Sequence, residues 1–323
     1  MVKEVYANIY QIEVPLPDNP LKKINTYLIK GAEKSLLIDT GFNHILSQEI
    51  LMEGLNELGI KLEDLELFIT HLHSDHSGLA AFFDSQGVKV YTSEIDGLLI
   101  NEMTGNSYWE RLMEKVRMYN LDLDNITYMD NPGYKYCPKE AIEFQLLKEG
   151  DQLKVGDYTF EVIDISGHTP GHIGLYEREH KLFFGGDHIL DQITPNIAFW
   201  GFQYNSLAVY LNNLGKISQY NIDYLFPSHR NIIRDHQRRI GELISHHGKR
   251  LEEILNILKG NEKTVRDVAK EMKWSLKEKN WEDFPSPQKW FAAGEAMSHL
   301  EHLVLVGKVE RINKEGVLYY RLN

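Results

Sequence analysis

Four groups able to bind a metal ion fall within six residues of this sequence, His71-Leu-His73-Ser-Asp75-His76. Neutral imidazole and carboxylate are ligands that borderline divalent ions such as zinc accept. Four such groups at the end of a strand would be costly to bury without an ion. The cluster therefore reads as part of a metal site. By itself it leaves an ion under-coordinated, so further ligands must come from elsewhere in the chain.

Three later segments supply them. Ser166-Gly-His168-Thr-Pro-Gly-His172 follows a strand ending at Ile165, with Gly and Pro forcing a turn that presents a side chain. Gly185-Gly-Asp187-His188 follows the apolar run Leu182-Phe-Phe184, and Phe226-Pro-Ser-His229 follows a last short strand. Each places a His or Asp just past the carboxyl end of a strand, where open α/β sheets bind ligands. His71 and His73 point to the same side if residue 71 ends its strand, and Asp75 and His76 then sit on the following loop.

The elements that must hold these residues can be read from periodicity. Residues 5–14, 24–29, 35–39, 65–70 and 88–92 read as strands, and 43–58 and 78–85 as helices. Residues 93–142 break this rhythm with helical patches over 95–103 and 108–119, then a loop through Asn131-Pro-Gly133. Strands follow over 144–147, 158–164, 173–176, 181–184 and 224–226, with a helix over 206–219. The alternation indicates an α/β layered fold. A long helix over 234–259 leads out to Gly260. Beyond it come a helix (265–272), an irregular Trp-rich stretch, a helix (288–306) and two short strands (308–312 and 316–321). That is the order of a winged-helix module. The expected division is a catalytic domain over 1–235 and a helical, winged-helix-like domain over 236–323.

Composition sets outer bounds. The 323 residues are 42% apolar and 25% charged, as in an ordinary soluble globular protein. No apolar run is long enough to span a bilayer, and the first residues do not read as a signal peptide. Cys137 is the only cysteine, which excludes intrachain disulfides and a Cys-based metal cage. A cytoplasmic location, with no membrane partner, is the expectation. The net charge of −12 argues against general nucleic-acid binding, which depends on Lys and Arg. From Lys249 onward the chain holds 14 basic and 12 acidic residues, and this near balance reads as a solvated or packing face rather than a DNA contact.

Taken in order, these motifs resemble the metallo-β-lactamase-fold hydrolase superfamily. The likeness rests on His71-x-His73-x-Asp75-His76, Gly167-His-Thr-Pro-Gly-His172, Gly186-Asp187, His229 and Leu37-Ile-Asp39-Thr-Gly41, and covers residues 1–235. It implies a four-layer αββα sandwich with metals in a cleft at one edge. It also implies that His71, His73 and His168 bind one ion, that Asp75, His76 and His229 bind a second, and that Asp187 bridges them. The ions are expected to be zinc, with iron or manganese as alternatives. Two ions ~3.5–4 Å apart would acidify a water, giving a metal-bound hydroxide that attacks an ester, thioester or phosphodiester. Asp75 would orient that nucleophile and shuttle its proton, and Asp39 would fix a ligand imidazole.

Other polar and aromatic residues lie outside this ligand set. His172 is expected to be structural, and His246-His247 to be solvated on a polar helix. His188, Tyr108 and Trp109 are candidates to line a substrate pocket. The tail, with residues 185–196 and His229-Arg230, resembles the subgroup of β-lactamase-like protein 2 endoribonucleases. The acidic first domain favours a small-molecule substrate over a polyanion. The alternatives carried forward are an endoribonuclease, a glyoxalase II-like thioesterase, a mononuclear iron persulfide dioxygenase and a metal-sensing DNA-binding regulator; homodimerisation is left open.

Overall fold

A computed structural model describes residues 2–275 and 280–323. Its first sheet runs in chain order: β1 (Val2–Tyr6), β2 (Ile9–Pro15), β3 (Lys23–Ile29), β4 (Ser35–Ile38), β5 (Leu65–Phe68), β6 (Lys89–Ser93) and β7 (Phe144–Leu147). β1 to β4 pair antiparallel, and β4 to β7 pair parallel. Parallel neighbours need crossovers. These are α1 (Ile45–Glu57), then α2 (Ser74–Ser77) with α3 (Ala80–Ser85), then α4 (Glu94–Met103), α5 (Asn106–Met118) and α6 (Pro132–Tyr136).

The second sheet holds β8 (Gln152–Val155), β9 (Tyr158–Asp164), β10 (Ile173–Glu177) and β11 (Leu182–Gly186) as an antiparallel meander. After α7 (Ser206–Ile217), β12 (Tyr224–Pro227) adds parallel to β11. Side-chain alternation along the strands sorts residues into layers. In β9, Tyr158, Phe160 and Val162 join a core shared with Ile29, Ile38 and Phe68 of the first sheet, while Ile163 turns to Leu207 and Leu214 of α7. The other face of the first sheet, with Leu28, Leu37 and Val90, packs on Leu51 of α1, Phe83 of α3 and Ile100 of α4. Two sheets face to face with helices outside make the αββα sandwich.

The tail comprises α8 (His236–Ile257), β13 (Lys263–Thr264), α9 (Val265–Glu271), α10 (Ser286–Leu305), β14 (Val309–Lys314) and β15 (Val317–Leu322). Its three strands order as β13-β15-β14. Val265, Val268, Ala293, Leu300 and Tyr320 form an apolar core that also takes in Val116 and Tyr119 from α5 and its end, and Phe199. Asp124 anchors it further, accepting from Arg266 Nε at 2.5 Å, Trp281 Nε1 at 2.9 Å and Lys289 Nζ at 3.1 Å. No helix among the described residues is long and apolar enough to cross a membrane.

Several local expectations need correcting. The strand expected over 5–14 is a hairpin, broken at Ala7-Asn8, where Asn8 takes a left-handed φ of 56°. β8 was not expected because its alternation, Gln152-Leu-Lys-Val155, is only four residues long and too short to stand out. The loop through Asn131-Pro-Gly133 opens α6: Asn131 caps the helix and Pro132 begins it. His247 is not solvated; its fully buried ring lies with Nδ1 3.0 Å from His299 Nε2. The irregular stretch between α9 and α10 lies in part outside the described residues.

Candidate metal centre

β5 ends at Phe68, three residues before His71, and Asp75-His76 form part of the single turn of α2 rather than a loop. The histidines converge all the same, because the backbone past the strand is tied down at each step. Ile69 N–H donates to Tyr91 O (2.8 Å), and Thr70 N–H donates to Asp39 Oδ1 (2.9 Å). Helical hydrogen bonds from His76 and Ser77 N–H to His73 O (2.9 Å each) hold α2. As a result His71 Nε2 lies 3.1 Å from His73 Nδ1.

The turn 166–172, the end of β11 and the end of β12 bring His168, Asp187 and His229 to the same place. Three overlapping groups result: His71, His73 and His168; His71, His76 and Asp187; Asp75, His76 and His229. Within each, one ligand atom per residue lies within 4.8 Å of the others. Asp187 sits among them, with Oδ2 3.6 Å from His76 Nε2 and 3.8 Å from His168 Nε2, and Oδ1 3.6 Å from His229 Nε2. Asp75 Oδ2 stands 3.2 Å from His229 Nε2. All are buried except His73 and Asp75, which are half-buried at the open side.

The donor set fits divalent cations. His76 Nε2, His168 Nε2, His229 Nε2 and Asp187 Oδ1 are buried with no hydrogen-bond partner among the described residues. The opposite ring nitrogens, by contrast, are engaged: His76 Nδ1 by Asp39 Oδ2 at 2.7 Å, His168 Nδ1 by Asn196 O at 2.8 Å, and His229 Nδ1 by Lys23 O at 3.1 Å. Fixing one nitrogen on an acceptor leaves the other with its lone pair aimed at a cation.

Electrostatics divides the site in two. Burial, reinforced by neighbouring imidazoles, depresses the pKa values of His71 and His168 and takes His73 down to about 3. Those rings are neutral. Burial also opposes the charged forms of His76 and His229. There, however, Asp39, Asp75 and Asp187 around His76, and Asp187 and Asp75 around His229, raise both above the ordinary range. The same two imidazoles overcome the effect of burial on Asp75 and Asp187 and hold both carboxyls ionised. A cation entering this half must displace protons from His76 and His229.

Asp39 lies where the sequence placed it, beside a clustered imidazole. It is fully buried at a left-handed φ of 60° and also accepts from Thr70 Oγ1 (2.9 Å) and Ser228 Oγ (3.2 Å). These bonds hold an unfavourable backbone conformation in place. Gly186 has a matching constraint: at φ 51°, a Cβ there would meet His172 Nε2 at 2.5 Å. His172 packs its ring 4.5 Å from that of His71 and enters none of the three groups.

Two pocket candidates are corrected. Trp109 is buried in the core, with its indole N–H donating to Met103 O (2.7 Å). His188 is fully buried, its ring 5.3 Å from that of Tyr210. Tyr108 packs partly buried against the same core as Trp109.

Two residues that the sequence reading missed matter here. Asp96 Oδ2 accepts from Leu72 N–H (2.9 Å) and Thr169 Oγ1 (2.6 Å), and its Oδ1 from Gly171 N–H (2.8 Å), so it joins the two histidine turns. In sequence, Ser93-x-x-Asp96 looks like a helix cap and nothing more. Trp200 stands with its ring 6.4 Å from that of His73 and donates to His168 O (3.1 Å). No local pattern marks it.

Comparison with known proteins agrees with this geometry. The family model described as the metallo-beta-lactamase superfamily matches residues 20–229. A β-lactamase-like protein 2 homolog of Caenorhabditis elegans is 26% identical over 255 residues, 78% of this chain and 71% of that protein. An acyl-coenzyme A thioesterase of Gallus gallus is 31% identical over 179 residues, 52% of this chain; the match spans only 58% of that enzyme's length. The crystal structure of a metallo-β-lactamase family protein from Thermus thermophilus superposes with a TM-score of 0.79 at 26% identity, covering 99% of this chain and 100% of the other. The chain belongs to the metallo-β-lactamase superfamily and is a metallo-hydrolase.

Proposed function

We propose that the protein is a dinuclear, zinc-dependent hydrolase of a small acyl thioester. The observation that carries this reading is the overlap of three groups of ligand atoms through His71 and His76, with Asp187 within 3.8 Å of His76, His168 and His229 and an unpartnered ligand atom on all four. His71, His73 and His168 would hold one ion, Asp75, His76 and His229 the other, and Asp187 both. An all-nitrogen-and-oxygen donor set without thiolate suits zinc. Bound there, the ions would supply Lewis acidity and an acidified water.

The chain's own residues do the rest. Asp75, its side chain 14% exposed, is a carboxylate facing the open side. As a carboxylate it accepts a hydrogen bond from the attacking water, orients it and takes up its proton. Trp200 walls the site beside His73 and keeps bulk water from that edge. A thiol has a pKa near 8.5, so sulfur departs as thiolate and the site needs no strong general acid. The thioesterase relative supports this substrate class. We assign residues 236–323 to a second domain that shapes one wall of the cleft.

The test is a substrate panel of thioester, lactone, phosphodiester and single-stranded RNA, run with metal-loaded protein and an Asp75→Ala control. Thioester cleavage lost in the control and on chelation is expected. Preferential cleavage of phosphodiester or RNA would overturn the substrate class. Elemental analysis giving a single iron per chain would overturn the dinuclear reading.

A further inference from the structure

The segment between β11 and α7, residues 187–205, has no regular secondary structure, yet it carries groups that set the metal centre. Within it, the Asn196 carbonyl engages His168 Nδ1 at 2.8 Å. An irregular segment cannot hold a carbonyl so closely by itself, because few backbone bonds restrain it. Lys115, Tyr210 and the packing of Ile197 hold other parts of the segment; at Asn196 itself the restraint comes from the tail. The Asn196 side chain points the other way, donating from Nδ2 to Glu295 Oε2 (3.0 Å) and Phe291 O (3.2 Å), both on α10. The same helix packs beside the segment at Ala198, where a Cβ on Gly294 would make an ordinary 3.7 Å contact with the Ala198 Cβ.

Glu295 is in turn fixed. It is 6% exposed, and its second oxygen faces Arg250 Nε of α8 at 3.5 Å. Arg250 is anchored by Lys273 O (2.6 Å) and Glu253 (3.0 Å) and lies over the Trp274 ring. A carboxyl group this buried would be replaceable by an apolar side chain if it only filled space. Its position in the fold gives it another task.

We propose that Glu295 is a positioning residue of the metal centre. It clamps Asn196, whose carbonyl fixes the ring of His168 so that Nε2 faces the ion. The tail is then part of the machinery that holds the metal, although the ligands proposed above all lie outside it. This rests on His168 being a ligand, and the experiment separates the two ideas.

Metal-free full-length protein is titrated with cobalt(II), read by its absorption spectrum and by competition with a chelator. The variants are His168→Ala, Glu295→Ala, Glu295→Gln and Asn196→Ala. Loss of a partner that orients a ligand costs 10–100-fold in affinity. Glu295 acts one contact further out, so Glu295→Ala should weaken one ion by about tenfold and alter its cobalt spectrum. Asn196→Ala keeps the backbone carbonyl and loses the clamp, and should behave alike. Glu295→Gln, which retains an acceptor oxygen for Asn196, should recover most of the affinity. If His168→Ala loses an ion while Asn196→Ala and Glu295→Ala bind like the unaltered chain, the positioning role is refuted. Should Glu295→Ala fail to fold, unchanged affinity in Asn196→Ala refutes it alone. Unchanged binding by His168→Ala would refute the metal assignment beneath it.

Discussion

Replacing Asp39 by Asn tests the metal centre through one proton. The swap is nearly isosteric, and Asn tolerates the left-handed backbone at this position as well as Asp does. Oδ1 accepts from the Thr70 N–H at 2.9 Å, so the Asn oxygen must stay there and its NH2 must replace Oδ2. That NH2 then faces His76 Nδ1, now 2.7 Å from a carboxylate oxygen. Two donors cannot pair, so once the ring gives up its extra proton to make room for a cation, its remaining hydrogen sits on Nε2 rather than Nδ1. Nε2 is the nitrogen that faces Asp75 and Asp187, and a hydrogen on it blocks metal binding. Restoring the binding tautomer leaves a buried donor unpaired, at about 1–3 kcal/mol. Metal affinity should therefore fall by roughly 5- to 150-fold. Competition titration of the metal-free protein measures the loss, and nitrogen NMR of the imidazoles reports the tautomer. Affinity within twofold of the unaltered chain, with the hydrogen still on Nδ1, would show that Asp39 does not govern His76.

Further outcomes follow from other contacts. Asp75→Asn should lower turnover by at least about 100-fold at saturating metal while circular dichroism shows an unchanged fold, since the amide can take up no proton and holds a cation more weakly; substantial residual turnover would contradict the role. Asp96→Ala unties the two histidine turns and should weaken metal binding by about tenfold or more, which equilibrium titration reads directly; unchanged affinity would mean the turns hold themselves. Asp124→Ala leaves Arg266 and Lys289 without their shared acceptor. The cost in urea unfolding should be about 1.5–3 kcal/mol, the range for hydrogen bonds to charged groups, and a value under 1 would count against this anchor of the tail.

The metal-free protein should also respond to pH. His76 and His229 have pKa values raised above the ordinary 6.5, so their stabilisation is complete below pH 6.5 and is lost as pH rises through the raised values. The melting temperature of chelator-stripped protein should therefore fall from pH 6.5 to 9. A rise over that range would contradict the charge assignment.

Much of the site was legible in the sequence because its chemistry is local. Strand ends followed by His or Asp announce themselves through short periodic runs and turn residues, and His71, His73, Asp75, His76, His168, Asp187 and His229 were named without coordinates. The layered class was legible for the same reason, since alternating apolar residues declare two-sided strands. Residues whose partners lie far along the chain were not legible. Asp96 reaches Gly171, and Asn196 reaches Glu295, across 75 and 99 positions. His247 reads as solvated on a polar helix until α10 covers it with His299.

The sequence by itself determined which residue types could bind a cation and that they stand at strand ends. Only the tertiary structure decided which nitrogen of each ring is free, because that depends on an acceptor supplied by another element: Asp39 for His76, Asn196 for His168, Lys23 for His229. A ring nitrogen's lone pair is aimed by the hydrogen bond on its opposite side, and that bond exists only once the sheets, the segment before α7 and the tail have packed together.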